Sequence, residues 1–204
     1  MAEALRLNPY SGNAVRSVHD LRIAAVSEIG LDWTRYNNTR GQLGDRLSSG
    51  WSHSFNWSAI LGSFPNSQLF VQVAYPDGNI KVFVANPGQS TGNFVNRCDA
   101  DYVIVSNTDY TLVTANNMRV IFLKSGSSPG PYSANSVTDG KRNVTALTYT
   151  TVGGKSVLTR VADPSGHYLQ INYTAFGTNP YITSVVTSDE EAFRTLTAAS
   201  SLLV

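Results

Sequence analysis

The sequence predicts an all-β protein built from antiparallel hairpins, arranged as a twisted ribbon or a sandwich. Hydrophobic and polar residues alternate over much of the 204-residue chain, which is the period of strands with one buried face. Turn residues such as Asp-Gly, Gly-Asn and Gly-Gly recur about every eight to twelve residues. Strands at this spacing favour an antiparallel meander over βαβ units.

The clearest hairpin lies in residues 69–84. Leu69–Val73 and Ile80–Val84 both alternate, and the turn Tyr75–Asn79 separates them. Its Pro-Asp-Gly-Asn sequence presets φ at the start of the turn and then allows the positive φ that tight hairpins need. The same pattern predicts further strands at 102–105, 110–113, 118–123, 144–149, 157–161, 168–173 and 182–187.

Two segments interrupt the pattern. Residues 125–136 are rich in Gly, Ser and Pro, which predicts an exposed loop between an N-terminal β region at 1–124 and repeating hairpins at 137–187. The tail at 188–204 fits two structures. Ser188 and Glu191 form a capping box ahead of an apolar helical face, whereas Phe193–Thr197 alternates as a strand does. A short C-terminal helix and a strand are both open alternatives.

Composition argues against several classes of protein. The 15 basic and 14 acidic residues give a net charge of +1, so the chain has no basic surplus for nucleic acid, and 42% hydrophobic content argues against disorder. The longest apolar runs are about six residues, too short to span a membrane. The first ten residues lack a secretory signal, and Cys98 is the only cysteine, which excludes an intramolecular disulfide.

Residues 159–187 contain a recognisable unit. Thr159–Tyr173 reads Thr-Arg-Val-Ala-Asp-Pro-Ser-Gly-His-Tyr-Leu-Gln-Ile-Asn-Tyr, and Phe176-Gly177 and Ile182–Val185 follow it. This order resembles one unit of the RHS/YD-repeat proteins, in which such a turn and strand recur many times as two-stranded β elements. Lys141–Tyr149 resembles the preceding unit in a weaker form. The sequence departs from the family at Thr174, where the family has Asp, and after Gly177, where it has Arg.

The N-terminal part resembles the same family. Asn8–Asn13, Leu31–Asn37 and Gly50–Phe55 match, in order and spacing, the segment that precedes the repeats in bacterial RHS proteins. The resemblance spans most of residues 8–187 and favours an extracellular or cell-surface location. Full-length members wind dozens of repeats into a closed shell around a toxin domain. About two repeats are recognised here, so neither the shell nor the toxin is implied.

Four ring-bearing residues alternate in one short stretch: Trp51, His53, Phe55 and Trp57. On a continuous strand they would project to one face. The favoured interpretation is that these rings fill the core, where large aromatics bury about 150 Å² or more each. The alternative is an exposed row in which Trp51, Phe55 and Trp57 stack on sugar rings or contact another chain.

No catalytic, metal or cofactor site is predicted, so we expect a protein that is not an enzyme. Ser52, His53 and Asp20 include the residue types of a Ser-His-Asp triad, but no serine lies in a nucleophile-elbow glycine pattern. Five aspartates have oxygen ligands suited to calcium, yet they lack the spacing of calcium loops and are interpreted mainly as turn formers: Asp77, Asp99, Asp101, Asp109 and Asp139.

These observations favour a structural module that assembles. Stacked repeats leave their terminal strands exposed unless a cap or partner covers them, and only four lysines are present to protect such edges. We predict a homo-oligomer formed through β edges or faces, with no nucleic-acid partner and no membrane span. The alternatives are a carbohydrate-binding β-module, association with another RHS-type chain, and the non-catalytic N-terminal portion of a secreted RHS effector.

Overall fold

The computed structural model describes residues 2–8, 13–23, 25–39, 47, 50–125 and 130–188. These residues form strands and turns and include no helix, which confirms the predicted all-β class. The choice between helix and strand for the tail lies outside the described residues from position 189 onward, as do residues 9–12 of the N-terminal segment.

The strands up to residue 113 are β1 (Ala2–Asn8), β2 (Asn13–Ile23), β3 (Leu31–Asn38), β4 (Trp51–His53), β5 (Ser58–Ser63), β6 (Leu69–Ala74), β7 (Ile80–Val84), β8 (Gly92–Val95), β9 (Tyr102–Val105) and β10 (Asp109–Val113). The remaining strands are β11 (Arg119–Leu123), β12 (Tyr132–Ser133), β13 (Ser136–Thr138), β14 (Val144–Val152), β15 (Lys155–Ala162), β16 (Tyr168–Phe176) and β17 (Asn179–Thr187).

The strands pair antiparallel in two sheets. β1 to β4 form a four-stranded meander, and the other thirteen strands follow the order β12-β5-β6-β7-β8-β9-β10-β11-β13-β14-β15-β16-β17. The hairpin predicted at 69–84 is present as β6 and β7, and the N–H of Tyr75 donates to the carbonyl of Asn79 at its turn. Antiparallel meanders of this kind need only short turns between successive strands.

The prediction of an exposed loop over 125–136 is wrong for residues 130–136. Tyr132 lies in β12, which pairs with β5, and both Tyr132 and Ala134 are buried. The N–H of Asn135 donates to the carbonyl of Ile121 in β11 at 2.7 Å. This segment therefore bridges the first and last strands of β5–β11. Its strand has only two residues, too few for alternation to appear in the sequence.

The two sheets share one core. Trp33 from the four-stranded sheet and Phe83, Phe94 and Phe122 from the large sheet are fully buried and belong to one contiguous apolar cluster. The large sheet also runs without a break across the boundary between the ranges 1–124 and 137–187, because β11 pairs with β13. The N-terminal strands and the C-terminal hairpins are thus parts of one packed unit.

The last four strands contain a repeat of 24 residues, Asp139–Ala162 followed by Asp163–Val186. Each unit begins with a buried aspartate in a turn and continues as a hairpin with equivalent buried positions, Leu147 matching Ile171. Each hairpin also has a bulge at the same place, one at Thr148/Tyr149 and the other at Asn172/Tyr173. The two hairpins are therefore structurally equivalent units.

The two turn aspartates attach the loop between β2 and β3 to these repeats. The Oδ2 atom of Asp163 accepts the N–H of Val26 at 3.0 Å, and the Oδ2 atom of Asp139 accepts the N–H of Glu28 at 2.9 Å. Both aspartates are buried, and Lys141 pairs with Glu28 beside them at 3.0 Å. We call Asp139 and Asp163, with the two amides they bind, the aspartate clamp.

Hydrogen bonds keep both clamp carboxylates ionised. Burial alone would raise the pKa of Asp139, but donors from Glu28 and Asn143 outweigh it and lower the pKa from 3.8 to about 2. Burial opposes ionisation of Asp163 as well, and there the Ser165 hydroxyl and the N–H of Val26 lower the pKa. A carboxylate that accepts several N–H bonds is stabilised in its charged form.

The substitution Asp163→Asn tests whether the clamp stabilises the fold. It keeps the shape of the side chain but replaces charged hydrogen bonds with neutral ones, so we expect a loss of about 1–2 kcal/mol in the free energy of unfolding. Urea denaturation at neutral pH measures it. Asp77→Asn is the matched control, since the Asp77 carboxylate bonds Asn79 within its own turn. Equal losses in the two variants would contradict the role of the clamp.

The pH dependence of stability tests Asp139. A carboxylate with a lowered pKa stabilises the fold above its unfolded pKa, and this stabilisation is lost as the pH falls through the folded pKa. The thermal midpoints of the wild type and Asp139→Asn should therefore differ most at neutral pH. Their difference should shrink between the ordinary pKa of 3.8 and about 2. A difference that stays constant down to the lower value would refute this role.

Candidate functional site

The predicted aromatic row does not lie on one strand. β4 ends at His53, a turn includes Phe55, and β5 begins at Ser58 in the other sheet. The prediction that Trp51, His53, Phe55 and Trp57 share one strand face is therefore wrong. Their alternation in the sequence spans a point where the chain passes from one sheet to the other.

Trp51 is half-buried beside two guanidinium groups. The Cζ atoms of Arg35 and Arg16 lie 5.4 and 5.9 Å from the centre of its ring, within the range of cation–π contacts. Arg35 also donates two hydrogen bonds to the buried carboxylate of Asp20, at 2.5 and 2.9 Å. Trp51 thus contributes to a network inside the four-stranded sheet.

His53 and Phe55 belong to the core. His53 stacks on Trp33 with ring centres 4.4 Å apart, and its Nδ1 atom accepts the N–H of Phe55 at 3.3 Å. Phe55 is only 2% exposed, so its ring is covered by the protein itself. The hydroxyl of Ser52 accepts the side-chain amide of Asn56 at 3.1 Å. With Asp20 bound to Arg35, the three residues of the hypothetical triad have separate partners.

Trp57 is part of a cluster that links turns at one end of β5–β11. Its ring lies 4.9 Å from that of Tyr75, whose hydroxyl donates to Asp101 at 2.9 Å. The ammonium of Lys81 contacts Asp101 at 2.6 Å and also pairs with Asp99. Burial raises the pKa of Tyr75, and its bond to Asp101 raises it further. Asp99 and Asp101 thereby connect neighbouring turns.

Other kinds of site were compared with this arrangement. Within residues 2–8, 13–23, 25–39, 47, 50–125 and 130–188, no three His, Cys, Asp or Glu side chains are grouped so that they could hold a metal ion. The same residues include no helix that is long and apolar enough to cross a membrane. An open cleft of about 510 Å³ lies beside the β2–β3 loop, where Arg22 and Asp32 form an exposed ion pair.

The outer edge of β17 is the feature best suited to binding a partner. Among the described strands, β17 is the last of its sheet and pairs only with β16. Its nine residues include no charged side chain, and Ile182–Thr187 is rich in β-branched residues. Natural edge strands usually carry lysine, proline or a strong twist that blocks further pairing. A proline is present only near the start of β17, at Pro180.

Backbone geometry shows which groups of β17 face outward. The N–H of Ser188 donates to the carbonyl of Tyr168 at 2.9 Å, so Ser188 faces β16. Successive residues of an antiparallel strand direct their N–H and C=O groups to opposite sides. Ser184 and Val186 therefore face β16, whereas the N–H and C=O of Val185 point away from it. The side chain of Val185 is buried in the core.

Exposed apolar side chains lie near this edge and on one other face. Phe176 is 68% exposed at the tip of the β16–β17 hairpin, where it makes an edge-on contact with Tyr181. Ile80, Val82 and Val95 are exposed on the outer face of β7 and β8. The sequence analysis expected open edges in general but did not identify β17, because the order of strands cannot be read from alternation. The uncharged Ile182–Thr187 run was the available signal.

No protein-family model and no curated protein matches this chain. Its function is therefore inferred from the residues and the geometry described above.

The contrast between Phe55 and Phe176 tests these assignments. Phe55→Ala removes a buried ring and should lower the free energy of unfolding by about 3–5 kcal/mol. Phe176→Ala changes an exposed ring and should alter it by no more than about 0.5 kcal/mol. Chemical denaturation of both variants provides the comparison. A mild effect at Phe55 would mean that its ring is accessible to a ligand after all.

Proposed function

We propose that this chain is a non-catalytic structural module of the RHS/YD-repeat type, and that it self-associates through a free strand edge or an exposed apolar face. The observation that carries the proposal is β17, an uncharged nine-residue strand at the end of a thirteen-stranded sheet. Its outward backbone groups offer a template for another strand.

The energetics of strand edges support self-association. A backbone N–H or C=O group that water solvates poorly gains from pairing with another strand, and the partner buries apolar surface as well. The half-exposed side chains of Ser184 and Val186 carry no charge that would oppose an approaching strand. The exposed ring of Phe176 adds apolar surface near the same edge.

The repeated hairpins support the structural part of the proposal. Asp139–Ala162 and Asp163–Val186 are equivalent units that pack side by side, and each buries its inner face against its neighbours. Repeat units of this kind need a cap or a partner at the end of the stack. The outer face with Ile80, Val82 and Val95 is a second surface on which association could occur.

A carbohydrate-binding role has less support from the same residues. Phe55 is buried, and the ring of Trp51 lies beside Arg16 and Arg35. Trp57 packs against Tyr75. The three rings therefore do not form the flat exposed row that stacking on sugars would require, and we do not propose this function.

Light scattering over a hundredfold dilution tests self-association. We expect a mass above the 22.1 kDa of one chain at about 100 µM and a fall toward that value at about 1 µM, since association depends on concentration. Size-exclusion chromatography with in-line scattering measures the mass directly. A mass of one chain across the whole range would refute the proposal.

A further inference from the structure

We propose that the partner is a second copy of this chain, and that two copies join through β17 strands that pair antiparallel about a two-fold axis at Val185. This inference rests on the proposed self-association and adds to it the strand, the register and the number of copies. The product would be one continuous sheet across a dimer.

The junction between the two repeats shows how a strand is added to this sheet. β15 accepts β16 through three residue pairs, Arg160 with Gln170, Val161 with Leu169 and Ala162 with Tyr168. The residues equivalent to Arg160–Ala162 in the second repeat are Ser184–Val186, which lie 24 positions later. The same part of β17 is therefore the place where another strand would pair.

A two-fold arrangement suits the residues at this place. Pairing about Val185 sets Ser184 of one copy opposite Val186 of the other, so no charges meet across the junction. The first repeat differs, because it has Arg160 at the position of Ser184, and the Cζ atom of Arg160 lies 3.9 Å from the centre of the Tyr168 ring. β17 thus lacks the cation that its counterpart in β15 carries.

The other strand ends are less suitable partners for β17. β12 and β4, at the ends of their sheets, have only two and three residues. β1 is longer but has Glu3 and Arg6 in its sequence. An isologous contact of β17 with itself also closes on two copies, whereas contact between β17 and β1 would continue into an open chain of molecules.

Charge at the edge provides the first test. The double variant Ser184→Arg/Val186→Lys places like charges opposite each other in the dimer, and we expect the dissociation constant to rise at least tenfold. Arginine is the residue that β15 already carries at the equivalent position, so the fold should tolerate it. The matched control is Thr150→Arg/Thr174→Lys, which adds the same charges at exposed, equivalent positions of β14 and β16. Sedimentation equilibrium gives the dissociation constants.

Cross-linking tests the register without added charge. The exposed Cys98 is first changed to serine, and Ser184→Cys and Val186→Cys are made separately in that background. Residues 184 and 186 of opposite copies form a non-hydrogen-bonded pair with Cα atoms about 4.5 Å apart, a distance that a disulfide can span. Mixing the two variants under mild oxidation should give several times more cross-linked dimer than either variant alone.

The outcomes separate this inference from the proposed function. A wild-type chain that stays monomeric refutes both. An oligomer that forms equally well in the edge variant and its control, with no enrichment of cross-links in the mixture, refutes pairing at β17 but leaves self-association in place. A mass that grows beyond two chains with concentration refutes the two-fold arrangement.

Discussion

The structure depends on two buried carboxylates that connect distant parts of the chain. In an antiparallel meander, backbone hydrogen bonds join each strand to its neighbours, and they do not position one sheet against another. The aspartate clamp provides that connection, because Asp139 and Asp163 accept N–H groups from Glu28 and Val26, more than 100 residues away. It holds the β2–β3 loop against the repeats while Trp33 enters the shared core.

The clamp also explains why the two ends of the large sheet differ. At one end, the segment around β12 bridges β5 and β11, and the four-stranded sheet packs on the same core. At the other end, each 24-residue unit pairs with the unit before it, and β17 is the last strand described. Position 187, where a third clamp aspartate would stand, is Thr187. The repeat pattern therefore stops at the strand that we propose as the interface.

The sequence predicted the parts of the fold that depend on neighbouring residues. Hairpins such as β6–β7 could be predicted because the alternation and the Pro-Asp-Gly-Asn turn lie in one short stretch. The turn at Phe55 was missed, because the alternation from Trp51 to Trp57 continues across a change of sheet. Asp139 was recognised as a turn former, but its bond to Glu28 depends on a loop distant in sequence. The free edge of β17 depends on strand order, which is a property of the whole chain.

Hydrogen exchange of individual backbone amides tests the aspartate clamp most directly. In dilute protein, the amides of Val26 and Glu28 should exchange as slowly as those of the core strands, because opening them requires separation of the two sheets. Both amides lie in a loop, where exchange is fast when no acceptor binds them. Rapid exchange at these two positions, with the core strands still protected, would show that the carboxylates of Asp139 and Asp163 do not hold the sheets together.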